Sequence, residues 1–263
     1  MTTLTNDALL AVAERLGVQT LPLVLSVGPQ QDSYDEWVAA RERAIADLDA
    51  AGIFDPDGDV EMGLAGALSV LAQPDRELVA RHYSPDGVVR VCVAYRNGQH
   101  AVAVRNGDDF DIGLWWCDGS PEELTRAIVG ALAPCEPAEV AGFSAPAADL
   151  AERLDRAGNT GDFVDAMYAS GVPARDATIF GAAFGSCYAR TEIVAYSHED
   201  GQSSRAPGAV AVYDTERGRL VAAPTVSPDQ QIWSTVTTGS DYRVAQAIAA
   251  LLEGLPGGRW LTP

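Results

Sequence analysis

The hydrophobic and polar positions of this chain fall into two runs that echo each other. Val89, Val91, Val93 and Tyr95 alternate on one face of a predicted strand, and Phe110, Ile112, Leu114 and Trp116 on one face of another. Asn97-Gly98 and Asn106-Gly107 punctuate these runs as hairpin turns. After Gly119-Ser120 the period changes from two to that of a helix, with Leu124, Ala127, Ile128, Ala131 and Leu132 on one face. A shift of 120 residues lays Val88–Val129 over Gly208–Ala249 without a gap. Gly98 then meets Gly218, Ala103 meets Ala223, Asp109 meets Asp229, and Ile112 meets Ile232. Gly119-Ser120 meets Gly239-Ser240, and the helical series returns as Val244, Ala247, Ile248, Leu251 and Leu252. Upstream, Glu77-Leu78-Val79-Ala80 answers Glu192-Ile193-Val194-Ala195 at an offset of 115, so the first hairpin of the second copy is five residues longer. The pattern predicts a duplicated unit of four β-strands and a capped helix.

Helical patterns precede each copy. Thr5 or Asn6 can cap a helix burying Leu9, Val12, Ala13 and Leu16. Leu21–Val27, short and apolar, reads as a strand or extended segment. Ser33-Tyr34-Asp35-Glu36 is a capping box for a helix with Trp37, Ala40, Ala44, Ile45 and Leu48 on one face. A third helix buries Leu64, Leu68 and Leu71 and stops before Pro74. Pro134–Pro146, rich in Ala, Pro and Gly, is the linker candidate. It divides one domain, 1–263, into halves 1–134 and 146–263. Three short helices follow it, carrying Leu150 and Leu154, then Phe163, Val164 and Met167, then Ile179, Phe180, Ala183 and Phe184.

Charge narrows the function. The net charge is −19, the pI is near 4.3, and all 18 basic residues are Arg. Nucleic acid and anionic membranes demand clustered positive charge, so neither is an expected partner. The acidity serves solubility, or steers a partner of opposite charge. The four cysteines show no metal or redox spacing and fit a reducing compartment. No basic flank with an apolar core opens the chain and no run is long enough for a membrane helix, so a cytoplasmic protein is expected.

No catalytic, metal or cofactor motif is recognisable. Asp55-Pro56-Asp57-Gly58-Asp59 starts like a calcium loop, but its glycine falls at position 4 and Gly66 stands where the last ligand should be. Cys187 and His198 lie near opposite ends of one predicted strand, roughly 35 Å apart if extended, too far to pair. The sheet faces are more informative. Alternation points Trp115 away from Phe110 and Ile112, Trp233 away from Ile232, and Arg90 and Arg96 away from Val91 and Val93. An open face with Trp and Arg has the composition of a protein-binding hot spot. Under the competing reading, helices or loops cover that face and the tryptophans are core.

Several segments, taken in order, resemble the EspG family, cytosolic chaperones of mycobacterial and related type VII (ESX) secretion. They are Ala13-Glu14-Arg15-Leu16-Gly17-Val18-Gln19-Thr20-Leu21-Pro22, Pro74-Asp75-Arg76, Glu192-Ile193-Val194-Ala195, Asp214-Thr215-Glu216-Arg217-Gly218-Arg219, Trp233-Ser234-Thr235 and Leu255-Pro256-Gly257-Gly258-Arg259-Trp260. The resemblance implies an α/β (α+β) fold with quasi-two-fold halves around a central β-sheet. It implies a non-enzymatic protein that binds PE–PPE heterodimers through the apolar helical tip of the PPE subunit. In the family the client docks against the central sheet and the C-terminal helical region. Candidate client contacts here are therefore Trp115, Trp233, Arg90, Arg96, Phe180 and Phe184. Two departures bear on client identity: the short Ser84-Pro85-Asp86-Gly87 loop where several members carry a long one, and Leu23 where many have Trp. The Arg-only, Ala-rich composition fits an actinobacterial, high-GC genome. A duplicated α/β small-ligand binder or enzyme, and a weak homodimer through exposed sheet edges, stay open at this point.

Overall fold

The helices that the sequence marks with a hydroxyl cap begin at those caps. Thr5 accepts from the Ala8 amide ahead of α1 (Asn6–Arg15), and Ser33 accepts from Glu36 ahead of α2 (Tyr34–Ala50). Ser120 accepts from Glu123 ahead of α4 (Pro121–Val129), and Ser240 from Arg243 ahead of α8 (Asp241–Glu253). Each such bond satisfies one orphan amide of the first turn, at about 1 kcal/mol. The computed structural model describes residues 1–261, in which eight α-helices and eleven strands form a mixed α/β fold. It divides into two units. The first holds Met1–Val79 and Val89–Asp118, the second Ala80–Val88 and the residues from Gly119 onward.

In the first unit β1 (Thr2–Thr5) pairs with β5 (Asp109–Trp115), β5 with β4 (Gln99–Asn106), and β4 with β3 (Gly87–Arg96), all antiparallel. Asn97 and Gly98 both take positive φ, the conformation a two-residue turn needs to follow the strand twist. The next turn is Gly107-Asp108, since Asn106 pairs with Asp109; it falls one residue beyond the expected Asn106-Gly107. The helix α3 (Met62–Ala72) packs on β4 and β5, with Gly66 against the Leu114 side chain. Beneath the helices Leu9, Val12, Leu64, Leu68, Phe110 and Ile112 are buried. Trp116 departs from expectation: β5 ends at Trp115, and Trp116 is 85 % exposed instead of facing the helices.

Leu21–Val27 forms no strand. It holds a 3-10 turn, Leu23–Leu25, started by Pro22 and ended by Ser26 with left-handed backbone. Arg105 explains why: its guanidinium stacks on Phe110 and donates to the Leu25 carbonyl at 2.8 Å, so this segment is held by a side chain and not by a ladder. Asp75, of the Pro74-Asp75-Arg76 segment, accepts from the Asn97 amide and so ties the β3–β4 turn to the start of β2 (Arg76–Ser84).

In the second unit β7 (Cys187–Glu199) pairs with β9 (Val210–Thr215), β9 with β10 (Leu220–Val226), β10 with β11 (Ile232–Thr238), and β11 with β6 (Phe143–Pro146). The extra residues of the longer hairpin form β8 (Gln202–Arg205) on β7. The order β2, β3, β4, β5, α4 thus returns as β7, β9, β10, β11, α8, and the duplication read from the sequence is visible in the elements. The helices α5 (Ala147–Arg156), α6 (Thr160–Ala169) and α7 (Ala174–Gly185) cover one face of β9–β11. Their core holds Leu150, Met167, Phe180, Phe184, Leu220, Ala222 and Val236. Gly181 and Gly185 bring α6 and α7 together, because a Cβ at Gly181 would stand 2.7 Å from the Val164 backbone nitrogen. Among these strands α8 packs chiefly on β10 and carries none of that core, so it covers the opposite face.

A buried ion pair fastens the stretch from 133 to 138 to this unit. Arg219 donates to Asp214 at 2.5 and 3.2 Å and to the Ala133 carbonyl at 2.8 Å. Its backbone bonds Glu136, Ala138 and Gly239. Gly218 and Gly239 are required there, since a Cβ on either would press to within 2.8 Å of neighbouring backbone.

Candidate functional site

The sheet register separates the residues that the sequence offered as one binding face. In the first unit Tyr95 pairs with His100 and His100 with Trp115, so these three rings share a face with Val91 and Val93. Tyr95 and His100 lie 5.0 Å apart between ring centroids, and Trp115 meets His100 edge-on at 6.5 Å. Arg90 pairs with Arg105, and Arg105 with Phe110, so Arg90 and Arg96 belong to the opposite face, with the helices. Arg96 donates to the Ser69 carbonyl and borders a hollow of about 370 Å³ beside Gly17–Thr20. In the second unit Trp233 pairs with Thr225 and Pro146 and shares a face with Thr235, on the α8 side. Phe180 and Phe184 are on the other side, buried to 1 % and 5 % exposure. Phe180 stands edge-on to Phe143 at 4.8 Å, and Phe184 edge-on to Tyr213 at 5.2 Å. Both rings are core, and Phe184 also borders a groove.

That groove lies in the second unit. It arises because α5–α7 cover β9–β11 but leave one face of β7 open. Along β7, Ala189, Thr191, Ile193 and Ala195 are buried while Tyr188, Arg190 and Glu192 are exposed. The opening measures about 820 Å³. Its floor is Arg190, Glu192, Ala211 and Tyr213, its helical wall Ala151, Leu154, Asp155, Phe163 and Phe184, and its far end Tyr83 and Ser84. The size is that of a ligand pocket, but the site is an open trough in which aromatic and aliphatic carbon alternates with Asp155, Arg190 and Glu192.

Charge is arranged unevenly in the groove. The Arg190 guanidinium lies 5.1 Å from the centre of the Tyr83 ring. Burial first, then Cys187, and after it Glu192 from β7 and Asp155 from α5, push the Tyr213 phenol up to about 12 against Arg190, which lowers it. At the mouth, a hydrogen bond from the Tyr188 hydroxyl to Cys135, followed by burial, raises Tyr188 to about 12. The Cys187 thiol is raised by burial, the opposite of what an activated nucleophile needs. His198 stands at the other end of β7, bonded to Ser203 at 2.8 Å, so the strand keeps it from Cys187 as its length predicts. Among the described residues no three His, Cys, Asp or Glu gather as metal ligands, and no helix is long and apolar enough to cross a membrane.

Two buried histidines set a pH response. His82 bonds Thr191 at 3.0 Å, and His100 is sandwiched between Tyr95 and Trp115. Burial depresses both below the ordinary 6.5, partly offset by Asp214 for His82 and by Asp118 for His100. The unfolded chain therefore takes up protons that the folded chain refuses. That contribution to stability is full above about pH 6.5 and is lost as the pH falls towards the depressed values. The melting temperature should fall between pH 7.5 and 5.5 in a thermal scan, and His100→Gln should flatten the decline. A curve level over that range would contradict the assignment.

Of the residues lining this groove, the sequence reading offered Phe184 as a client contact and did not offer Tyr83, Asp155, Arg190, Glu192 or Tyr213. The alternation of exposed Tyr188, Arg190 and Glu192 with apolar neighbours was the available signal; which face the helices leave open is decided by packing.

The family comparisons agree with this architecture. A model described as the EspG family matches residues 5–250. ESX-1 secretion-associated protein EspG1 of Mycobacterium tuberculosis is 30 % identical over 263 residues, covering 98 % of this chain and 88 % of the relative. ESX-3 secretion-associated protein EspG3 of Mycolicibacterium smegmatis is 28 % identical with the same coverage. Among solved structures, the Mycobacterium tuberculosis type VII secretion system chaperone EspG5, in complex with a PE25-PPE41 dimer, superposes with a TM-score of 0.83 at 18 % identity, covering 98 % of both chains. Whole-chain sequence similarity and a shared fold lead to one conclusion: this chain belongs to the EspG family.

Proposed function

We propose that this protein is a non-enzymatic cytoplasmic chaperone of type VII secretion. It binds a PE–PPE heterodimer through the apolar helical tip of the PPE subunit, keeps it soluble and directs it to its secretion system. The observation that carries the reading is the open groove along β7, in a chain of the EspG family. An apolar tip is an aggregation hazard in water, and a trough walled by Leu154, Phe163 and Phe184 offers carbon surface to cover it. A stable complex buries about 1,200–2,000 Å² in total, so the contact extends well beyond the groove. The fold match to a chaperone solved with its PE–PPE client supports the same role.

Co-expression with each PE–PPE pair of the same organism tests it: the PPE subunit should become soluble and co-purify. Trp115 and Trp233, half-buried in their own units, are proposed contacts together with Arg90 and Arg96. Trp115→Ala and Trp233→Ala should each weaken the complex about tenfold or more at unchanged melting temperature. A drop in melting temperature with binding intact would assign the rings to packing instead.

A further inference from the structure

We infer that the groove selects a tip carrying a basic side chain, which seats between Asp155 and Glu192 above the Tyr213 hydroxyl. The inference rests on the chaperone reading and names what distinguishes one client from another. Asp155, on the α5 wall, and Glu192, on the β7 floor, line the same groove beside Tyr213. Both side chains are exposed, and among the described residues neither has an ion-pair or hydrogen-bond partner of its own. Among the described residues lining the groove, the one cation is Arg190, held against the face of Tyr83. Tyr213 supplies a hydroxyl whose raised pKa keeps it a neutral donor and acceptor. Apolar walls then bind the aliphatic stem of an Arg or Lys while the carboxylates hold its head.

The whole molecule favours the same partner. At a net charge of −19 it attracts a cationic tip from a distance and repels an acidic one. An acidic tip on Arg190 is the alternative, and the two are separable by experiment.

Affinity for a PE–PPE pair that binds the wild-type protein is measured for Asp155→Asn, Glu192→Gln and Arg190→Gln at low and high salt. These near-isosteric changes lie at exposed positions, and melting temperature checks folding. Each carboxylate variant should bind about tenfold more weakly at low salt, with the gap narrowing at high salt. Glu at the client's basic tip position should weaken wild-type binding, and Asp155→Arg should restore it. Equal affinity of the carboxylate variants, or loss confined to Arg190→Gln, overturns the inference while leaving the chaperone reading standing. Failure of every pair to bind the wild type overturns the reading on which it rests.

Discussion

Replacing Arg219 by Ala should destabilise the protein by about 3–5 kcal/mol, the cost of leaving a buried charge without its partner. Arg219 and Asp214 have side chains 3 % and 2 % exposed, and the guanidinium spans Asp214 and the Ala133 carbonyl. Burial, the largest effect, opposes charge on Arg219, but the hydrogen bond to Asp214 and the attraction of Asp214, Cys135 and Asp241 together outweigh it and hold the pKa up. Without the guanidinium, Asp214 and the Ala133 carbonyl both lose their donor. The backbone bonds from Arg219 to Glu136 and Gly239 then lack the side chain that fixes their strand. For a chain of this size the loss corresponds to a fall of roughly 10 °C in melting temperature, readable by calorimetry. Asp214→Asn should be nearly as harmful, whereas Arg219→Met with Asp214→Leu should recover much of the stability, since an apolar pair needs no partner. Single variants that melt with the wild type would show the pair to be idle.

Filling the groove should have the opposite profile. Ala151 lies exposed on α5, at the wall of the trough, so Ala151→Trp adds bulk where the client tip must enter without touching the core. Stability should stay within about 0.5 kcal/mol, while affinity for the PE–PPE pair should fall at least about a hundredfold, as steric exclusion from a hot-spot pocket demands. Retained affinity would move the client off the β7 groove and onto another surface. The two variants together separate what holds the chain folded from what it presents.

Most of the fold was legible because its signals are local. The Ser120 and Ser240 caps, the Asn97-Gly98 turn and the helical face of α8 each follow from a few adjacent residues, and their recurrence at a fixed offset showed the duplication, although α4 ends at Val129, short of Ala131 and Leu132 on its expected face. What escaped depends on partners distant in sequence. The 3-10 turn at Leu23–Leu25 is set by Arg105, and β1 and β6 exist because β5 and β11 offer them an edge. Alternation separates the faces of a strand but is silent on which face another element covers, and so it grouped Trp115 with Arg90 and Arg96, which the register parts. The groove was illegible for the same reason: Asp155 and Glu192 line one groove only because α5–α7 pack on β9–β11 and leave β7 uncovered.

The most direct test of the account is a titration of the purified protein with a purified PE–PPE pair from the same organism, followed by calorimetry. Saturable one-to-one binding by wild-type protein, abolished by Ala151→Trp, is the result predicted. Absence of binding to every endogenous pair would contradict it.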